Sequence, residues 1–329
     1  MTILCGQILF ISIIDEGAPF KGCCGGGQVM SEFNPVDPKE GYDIKSDPNC
    51  VPCLDHGFVR LVEAMGDDAS IVQAARVSYG KGTKSVRADR ALIFYLMQHQ
   101  HTTPFEMVEF KFHCKMPIFV ARQWIRHRTA NVNEMSGRYS VMEDTFWVPS
   151  LEDLRKQSAT NRQGSVEGEI ISEPEAKEIQ KTFVEDQKRI YEEYQHYLEV
   201  GVAREVARAN LPLSIYTEWY WKIDLHNLLH FLQLRLDAHA QKEIRVYAEA
   251  IGYFVKQKCP VTWESFEEHI LFANKLSKNE GELLSTLIQK NDLWPQIEEA
   301  RVNQLKKEEA SPARIERELA NLRKRLLHF

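Results

Sequence analysis

The segment Arg122-Gln123-Trp124-Ile125-Arg126-His127-Arg128, followed by Asn131, Asn133, Glu134, Ser136, Gly137, Arg138 and Tyr139, holds the densest set of chemically capable side chains in the 329-residue sequence. Four arginines fall between Arg122 and Arg138 with Glu134 as the only acid among them. On a helix, Gln123 shares a face with Arg126 and His127, and guanidinium forks suit bidentate phosphate binding. A solvated basic face would rarely interleave Trp124, His127, Asn133, Ser136 and Tyr139 with its charges, so the pattern points to an anionic ligand carrying a ring. A second candidate set is His226 and His230, four apart, with Asp237 and His239 following. Those four would suit a divalent ion and an activated water, the chemistry of a metal-dependent phosphohydrolase. A third reading, an RNA-binding loop, lacks any basic stripe extending the arginine patch. Cys114 and Cys259 stand beside no activating base in sequence and read as core or surface thiols. Ser136 has no histidine and acid arranged near it as a relay, so phosphate binding suits it better than nucleophilic attack.

The elements that must carry these residues are readable from periodicity. Arg87 to Gln98 has helical spacing through Ala91, Leu92, Tyr95 and Leu96, and Val108 to Met116 alternates as a half-buried strand. Pro117 can open a helix over Ile118 to Arg128, after which Asn131, Asn133 and Gly137 predict an irregular loop. Ser150 to Pro174 reads as a surface excursion, Glu175 to Leu198 as a long helix, and Arg204 to Ala209 as a short one. Ser214 is expected to cap a helix reaching Leu234, and Asp237 another reaching Lys256. The resulting fold class is α+β, a small mixed or antiparallel sheet packed with several long helices, with N- and C-terminal extensions. Residues 1–53 form a loose glycine- and proline-rich extension, 54–272 the catalytic domain, and 273–329 a helical extension with leucines at helical spacing.

A net charge of −6 with 27% charged and 43% hydrophobic residues describes an ordinary globular chain and argues against a global grip on nucleic acid or anionic membrane. The apolar run Ile3 to Ile14 is too short to span a bilayer and lacks the flanks of a secretory signal. Seven cysteines fit reduced thiols in the cytoplasm. Cys50 and Cys53 form a C-x-x-C pair that could join Cys23 and Cys24 around zinc, but the irregular spacing favours free thiols in a mobile arm.

The string R-H-R, seven residues, then S, as it stands in Arg126-His127-Arg128 and Ser136, resembles the signature of the flavin-dependent thymidylate synthases. His101 to Glu106 (HTTPFE), Gly201 to Pro212 (GVAREVARANLP) and Leu234 to Ile244 (LRLDAHAQKEI) resemble further family segments in the expected order, so the likeness covers roughly Leu54 to Phe272. The resemblance implies reductive methylation of dUMP to dTMP, with the carbon from 5,10-methylenetetrahydrofolate and the hydride from NADPH through bound FAD. It implies a homotetramer whose active sites are shared between subunits. It implies FAD contacts at Thr103, Arg126, His127, Arg128, Glu134, Asp224, His226 and His230. Nucleotide contacts are implied at Gln123, Arg126, Glu134, Ser136, Gly137, Arg138, Arg208 and Arg235. Arg138 and Arg208 suit the phosphate, and Arg235 is the expected catalytic group, a permanent charge placed where electron density builds on the pyrimidine.

Overall fold

A computed structural model describes residues 47–77, 86–157, 165–307 and 310–327. Cys23 and Cys24, and with them the possible four-thiolate site, lie outside the described residues. The elements in chain order are β1 (Cys50–Cys53), β2 (Gly57–Met65), α1 (Asp68–Val77), α2 (Val86–Gln98), β3 (Glu109–Pro117), α3 (Ile118–Trp124), β4 (Asn131–Glu134), β5 (Arg155–Gln157), β6 (Ser165–Ile170), α4 (Glu173–Glu199), α5 (Arg204–Ala207), β7 (Tyr216–Asp224), α6 (Leu225–Arg235), α7 (Lys242–Lys258), α8 (Pro260–Phe266), α9 (Lys278–Lys290), α10 (Trp294–Lys307) and α11 (Pro312–Leu327). A five-stranded antiparallel sheet in the order β1-β2-β3-β7-β4 organises them, and β5 pairs with β6 as a separate hairpin. The α+β reading stands.

The two central strands alternate as side chains must on a pleated sheet. Phe110, Phe112, Cys114 and Met116 of β3 lie beside Trp219, Trp221 and Ile223 of β7, all buried against helices α1, α2, α6, α7 and α8. The opposite face is polar and zipped by cross-strand pairs: Lys111 to Glu63, Lys222 to Glu109, and His113 to Glu218 at 3.0 Å. In α2 the buried face is Ile93, Leu96 and Met97, while Tyr95 is half-exposed, one position off the stripe expected from sequence.

Four expectations are corrected. The stretch after Ser214 is not one helix, because Tyr216 to Asp224 alternates with period two and its aromatics fill both sides of a central strand, β7. The chain turns helical only at Asp224, whose carboxylate accepts the Asn227 N–H at 3.0 Å and caps α6. The predicted loop at Asn131 is instead an edge strand, β4, held on β7 from Asn131↔Lys222 to Glu134↔Trp219. Helix α3 stops at Trp124, short of Arg128, and α7 starts at Lys242 because Asp237 is occupied by a local turn with His239.

Cys50–Cys53, placed by sequence in the N-terminal extension, forms the edge strand β1 and is buried at both cysteines. The C-terminal segment forms three helices. A capping box at Ser277 and Glu280 starts α9, and Arg301 ties α10 to Glu318 of α11 at 3.1 Å.

Candidate active site

The arginine motif owes its position to Trp124. This indole is fully buried among Trp219 (5.3 Å between ring centroids), Trp221 (5.1 Å), Phe231 (5.2 Å) and Tyr247 (5.8 Å), so the end of α3 is pinned to sheet and helices at once. The chain leaves this anchor through a tight turn, with the His127 N–H donating to the Trp124 carbonyl at 3.0 Å. Arg126 and Arg128 emerge exposed while His127 lies edge-on to Phe231 at 5.0 Å.

Arg235, in the last turn of α6 where a cation complements the helix dipole, reaches back and donates from Nε to His127 Nε2 at 3.0 Å. Burial, the Arg235 charge and His230 together lower the His127 pKa to about 4. His127 is therefore neutral at pH 7, with Nε2 the acceptor and its proton on Nδ1. Burial lowers the Arg235 pKa too, without bringing it near neutrality. The histidine carries a consequence for stability. Unfolded His127 takes up a proton below its ordinary pKa of 6.5, whereas the folded ring resists until about 4, so its contribution is complete above 6.5 and is lost as pH falls through that window. Urea midpoints of the unliganded protein should fall between pH 7 and pH 4.5, and His127→Gln should flatten part of that slope; an unchanged slope would contradict the neutral assignment.

Arg126, His127, Arg128, Thr129, Ile223, Asn227, His230, Leu234 and Arg235 line a concavity of about 380 Å³ without a single carboxylate. His230 also belongs to a smaller pocket of about 200 Å³, floored by Leu96, Met97, Phe105 and Leu229 and edged by His101, Thr102 and His226. Sequence reasoning missed Thr129, Asn227 and Leu234. The spacing of Asn227, His230 and Leu234 on α6, three and then four apart, marks one face and was the available signal.

A second locus is built on a separate apolar cluster in which Met142, Phe146, Tyr191, Tyr194, Ala207 and Ile215 are buried. Tyr194 accepts the Met142 N–H at 3.1 Å and Tyr191 donates to the Met142 carbonyl at 2.8 Å, clamping the chain just after the turn Ser136–Tyr139. Ser136 Oγ accepts the Arg138 N–H at 3.3 Å, and Arg138 reaches Glu205 at 3.6 Å, both side chains being largely exposed. A Cβ on Gly137 would stand 3.1 Å from Arg208 Cδ and 2.8 Å from Met142 Sδ, so glycine is what lets the turn sit against Arg208.

The expected site residues thus fall into groups. Arg126, His127, Arg128, His230 and Arg235 share the larger concavity; His226 joins His230 in the smaller pocket. Gly137 and Arg208 are in contact and carry Ser136 and Arg138 with them. Glu134 accepts from Thr217 Oγ1 at 2.7 Å on the edge strand, and Gln123 donates to Gln241. Both Asp224 oxygens are engaged by Asn227, and Thr103 begins the 3-10 turn Thr103–Met107, where its neighbour Thr102 is the residue that lines the pocket.

The alternative chemistries find no support in this geometry. His239 is tied to Asp237 at 2.8 Å in an exposed turn, and no group of three or more His, Cys, Asp or Glu capable of holding a metal ion occurs among the described residues. Burial raises the pKa of Cys114 and of Cys259, which disfavours a thiolate at either. No described helix is long and apolar enough to cross a membrane.

Residues 60–261, which include β3, the arginine turn, β7 and α6, match the family described as Thymidylate synthase complementing protein. The chain belongs to the flavin-dependent thymidylate synthase family. A flavin-dependent thymidylate synthase of Wolbachia pipientis wMel is 56% identical over 235 residues, covering 71% of this chain and 82% of that protein. One from Thermus thermophilus is 55% identical over 258 residues (78% and 91%), and one from Dictyostelium discoideum 54% over 257 (75% and 84%). Among solved structures, a UMP/dUMP methylase PolB from Streptomyces cacaoi bound with 5-Br dUMP superposes with a TM-score of 0.60 at 32% identity, covering 66% of this chain and 97% of that one. The arginine turn, Arg208 and Arg235 lie inside the family-matched stretch, and this chain is an enzyme of that family.

Proposed function

We propose that this enzyme methylates dUMP to dTMP, with 5,10-methylenetetrahydrofolate as carbon donor, NADPH as reductant and FAD as resident cofactor. The observation that carries the reading is the Arg235–His127 pair at the edge of an acid-free cationic concavity. The residues present fit FAD: exposed Arg126 and Arg128 offer guanidinium forks to a pyrophosphate, and the apolar and imidazole surface around His127, His226 and His230 suits a flat ring system. When bound, the flavin supplies hydride transfer to the carbon being reduced.

The chain's own residues do the rest. Ser136, the Gly137 backbone, Arg138 and Arg208 are assigned to the nucleotide phosphate, where two guanidinium groups and a hydroxyl can meet about two negative charges. Arg235 is assigned to the pyrimidine, holding positive charge against the electron density that must build before C5 becomes nucleophilic. His127, neutral and fixed by Arg235, orients that guanidinium without competing for the charge. Thr103 and Asp224 are assigned to FAD, Asp224 also capping the helix α6, Gln123 to the nucleotide and Glu134 to both.

The Arg138 and Arg235 loci lie on different supports, and all four residues of β4, which joins the arginine turn to the Ser136 turn, are exposed, together with Ile125 and Leu234. A homotetramer whose active sites are completed by neighbouring subunits accounts for that surface, and light scattering of the purified chain tests it. Purified protein should show a flavin absorption spectrum that changes with dUMP. Colourless protein that cannot be reconstituted with FAD overturns the reading. Ser136→Ala is expected to raise the dUMP dissociation constant about tenfold, the size of one lost charge-assisted bond, with turnover at saturation largely kept. Loss of turnover with binding intact would contradict the phosphate role.

A further inference from the structure

The smaller pocket has a wall that the family match does not reach. His269 and Ile270 line it from the π turn Glu267–Leu271, and Lys275 lines it from the segment just beyond, all C-terminal to residue 261. A π turn inserts an extra residue into the helical spacing and occurs often where a chain is shaped for function. Here it places two consecutive side chains on one pocket.

The wall is braced. His269 sits edge-on to Phe94 of α2 at 5.7 Å, and Arg90 lies over that Phe94 ring at 4.1 Å while pairing with Glu264 of α8 at 2.7 Å. Glu268 beside it, Arg325 and Glu318 of α11 and Arg301 of α10 act electrostatically on His269. Burial holds His269 below the usual imidazole pKa, leaving it a neutral hydrogen-bonding group, while Lys275 is exposed at the mouth. Around the pocket stand His101, His226, His230, His269 and Lys275 with no carboxylate, above the floor of Leu96, Met97 and Phe105. Such a lining suits a ligand that is flat and apolar on one side and anionic on another.

We propose that His269 and Lys275 are additional cofactor-binding residues of this enzyme, receiving one phosphate of the FAD pyrophosphate from the pocket that shares His230 with the concavity of Arg126 and Arg128. The inference rests on the flavin reading above and extends it to a segment outside the family-matched residues.

Equilibrium titration of the full-length deflavinated chain with FAD, and in parallel with riboflavin, tests it. Lys275→Glu should raise the FAD dissociation constant at least about tenfold, Lys275→Arg should stay within about twofold, and His269→Ala should fall between, as expected for loss or retention of a charge-assisted contact. Riboflavin, which has no phosphate, should bind the wild type and Lys275→Glu alike, and the Lys275 contribution to FAD affinity should shrink with added salt. Equal FAD affinity in wild type and Lys275→Glu overturns the proposal. So does an equal loss for riboflavin, which would mean a damaged pocket, and so does a rise in the NADPH KM with FAD binding untouched. A wild-type chain that binds no flavin overturns the functional reading itself, which separates the two failures.

Discussion

Arg235→Ala is expected to lower turnover of dUMP by about 10²- to 10³-fold, the cost of removing a preorganised donor from developing negative charge. Among the described residues Arg235 donates one side-chain hydrogen bond, from Nε to His127, which leaves both terminal nitrogens of the fork for a ligand. Arg235→Lys should recover little, because an ammonium cannot both hold His127 and present a planar fork. A second readout separates a charge effect from local collapse. Burial depresses His127 most and the Arg235 charge adds to it, so the His127 pKa should rise part of the way from about 4 toward 6.5 in Arg235→Ala when followed by imidazole NMR. A variant with normal turnover, or one whose His127 titration stays near 4, contradicts the assignment.

Trp124→Ala should be the most destabilising single substitution near the site, at about 3–5 kcal/mol for truncating a fully buried large aromatic. Its ring contacts four other aromatic side chains on β7, α6 and α7, so the cavity left behind cannot collapse without moving the sheet. The same substitution frees the turn that carries Arg126 to Arg128, and flavin affinity should fall even below the melting temperature. Trp124→Phe, which keeps a ring in the space, should lose a minor part of both. Denaturant unfolding together with FAD titration checks the pair of effects; a stability loss under about 1 kcal/mol would show that Trp124 is not the anchor.

Much of this arrangement was legible in the chain itself. The alternation of Phe110 to Met116 marked a strand because one of its faces meets helices and the other meets water. Arg126 to Arg128 and Ser136 marked the candidate site because so many donors in so short a stretch have few structural uses. What could not be read has physical causes. Tyr216 to Asp224 is a central strand whose half-buried outward positions are Glu218, Tyr220, Lys222 and Asp224, so with aromatics on both faces its period was hidden. Asn131 to Glu134 has four exposed side chains and joins the sheet through backbone pairing, helped by the Glu134–Thr217 hydrogen bond, which leaves no alternation in side-chain pattern. The Arg235–His127 bond spans 108 positions, and the approach of Gly137 to Arg208 spans 71, distances over which spacing carries no information. The part played by His269 depends on a π turn, which no helical periodicity would reveal.

Release of tritium from C5 of labelled dUMP by the FAD-loaded enzyme tests the central claim most directly. The account predicts release that requires a reduced flavin and disappears in Arg235→Ala while dUMP still binds. Release that proceeds unchanged without that guanidinium, or its absence from a wild-type enzyme holding both FAD and dUMP, would contradict it.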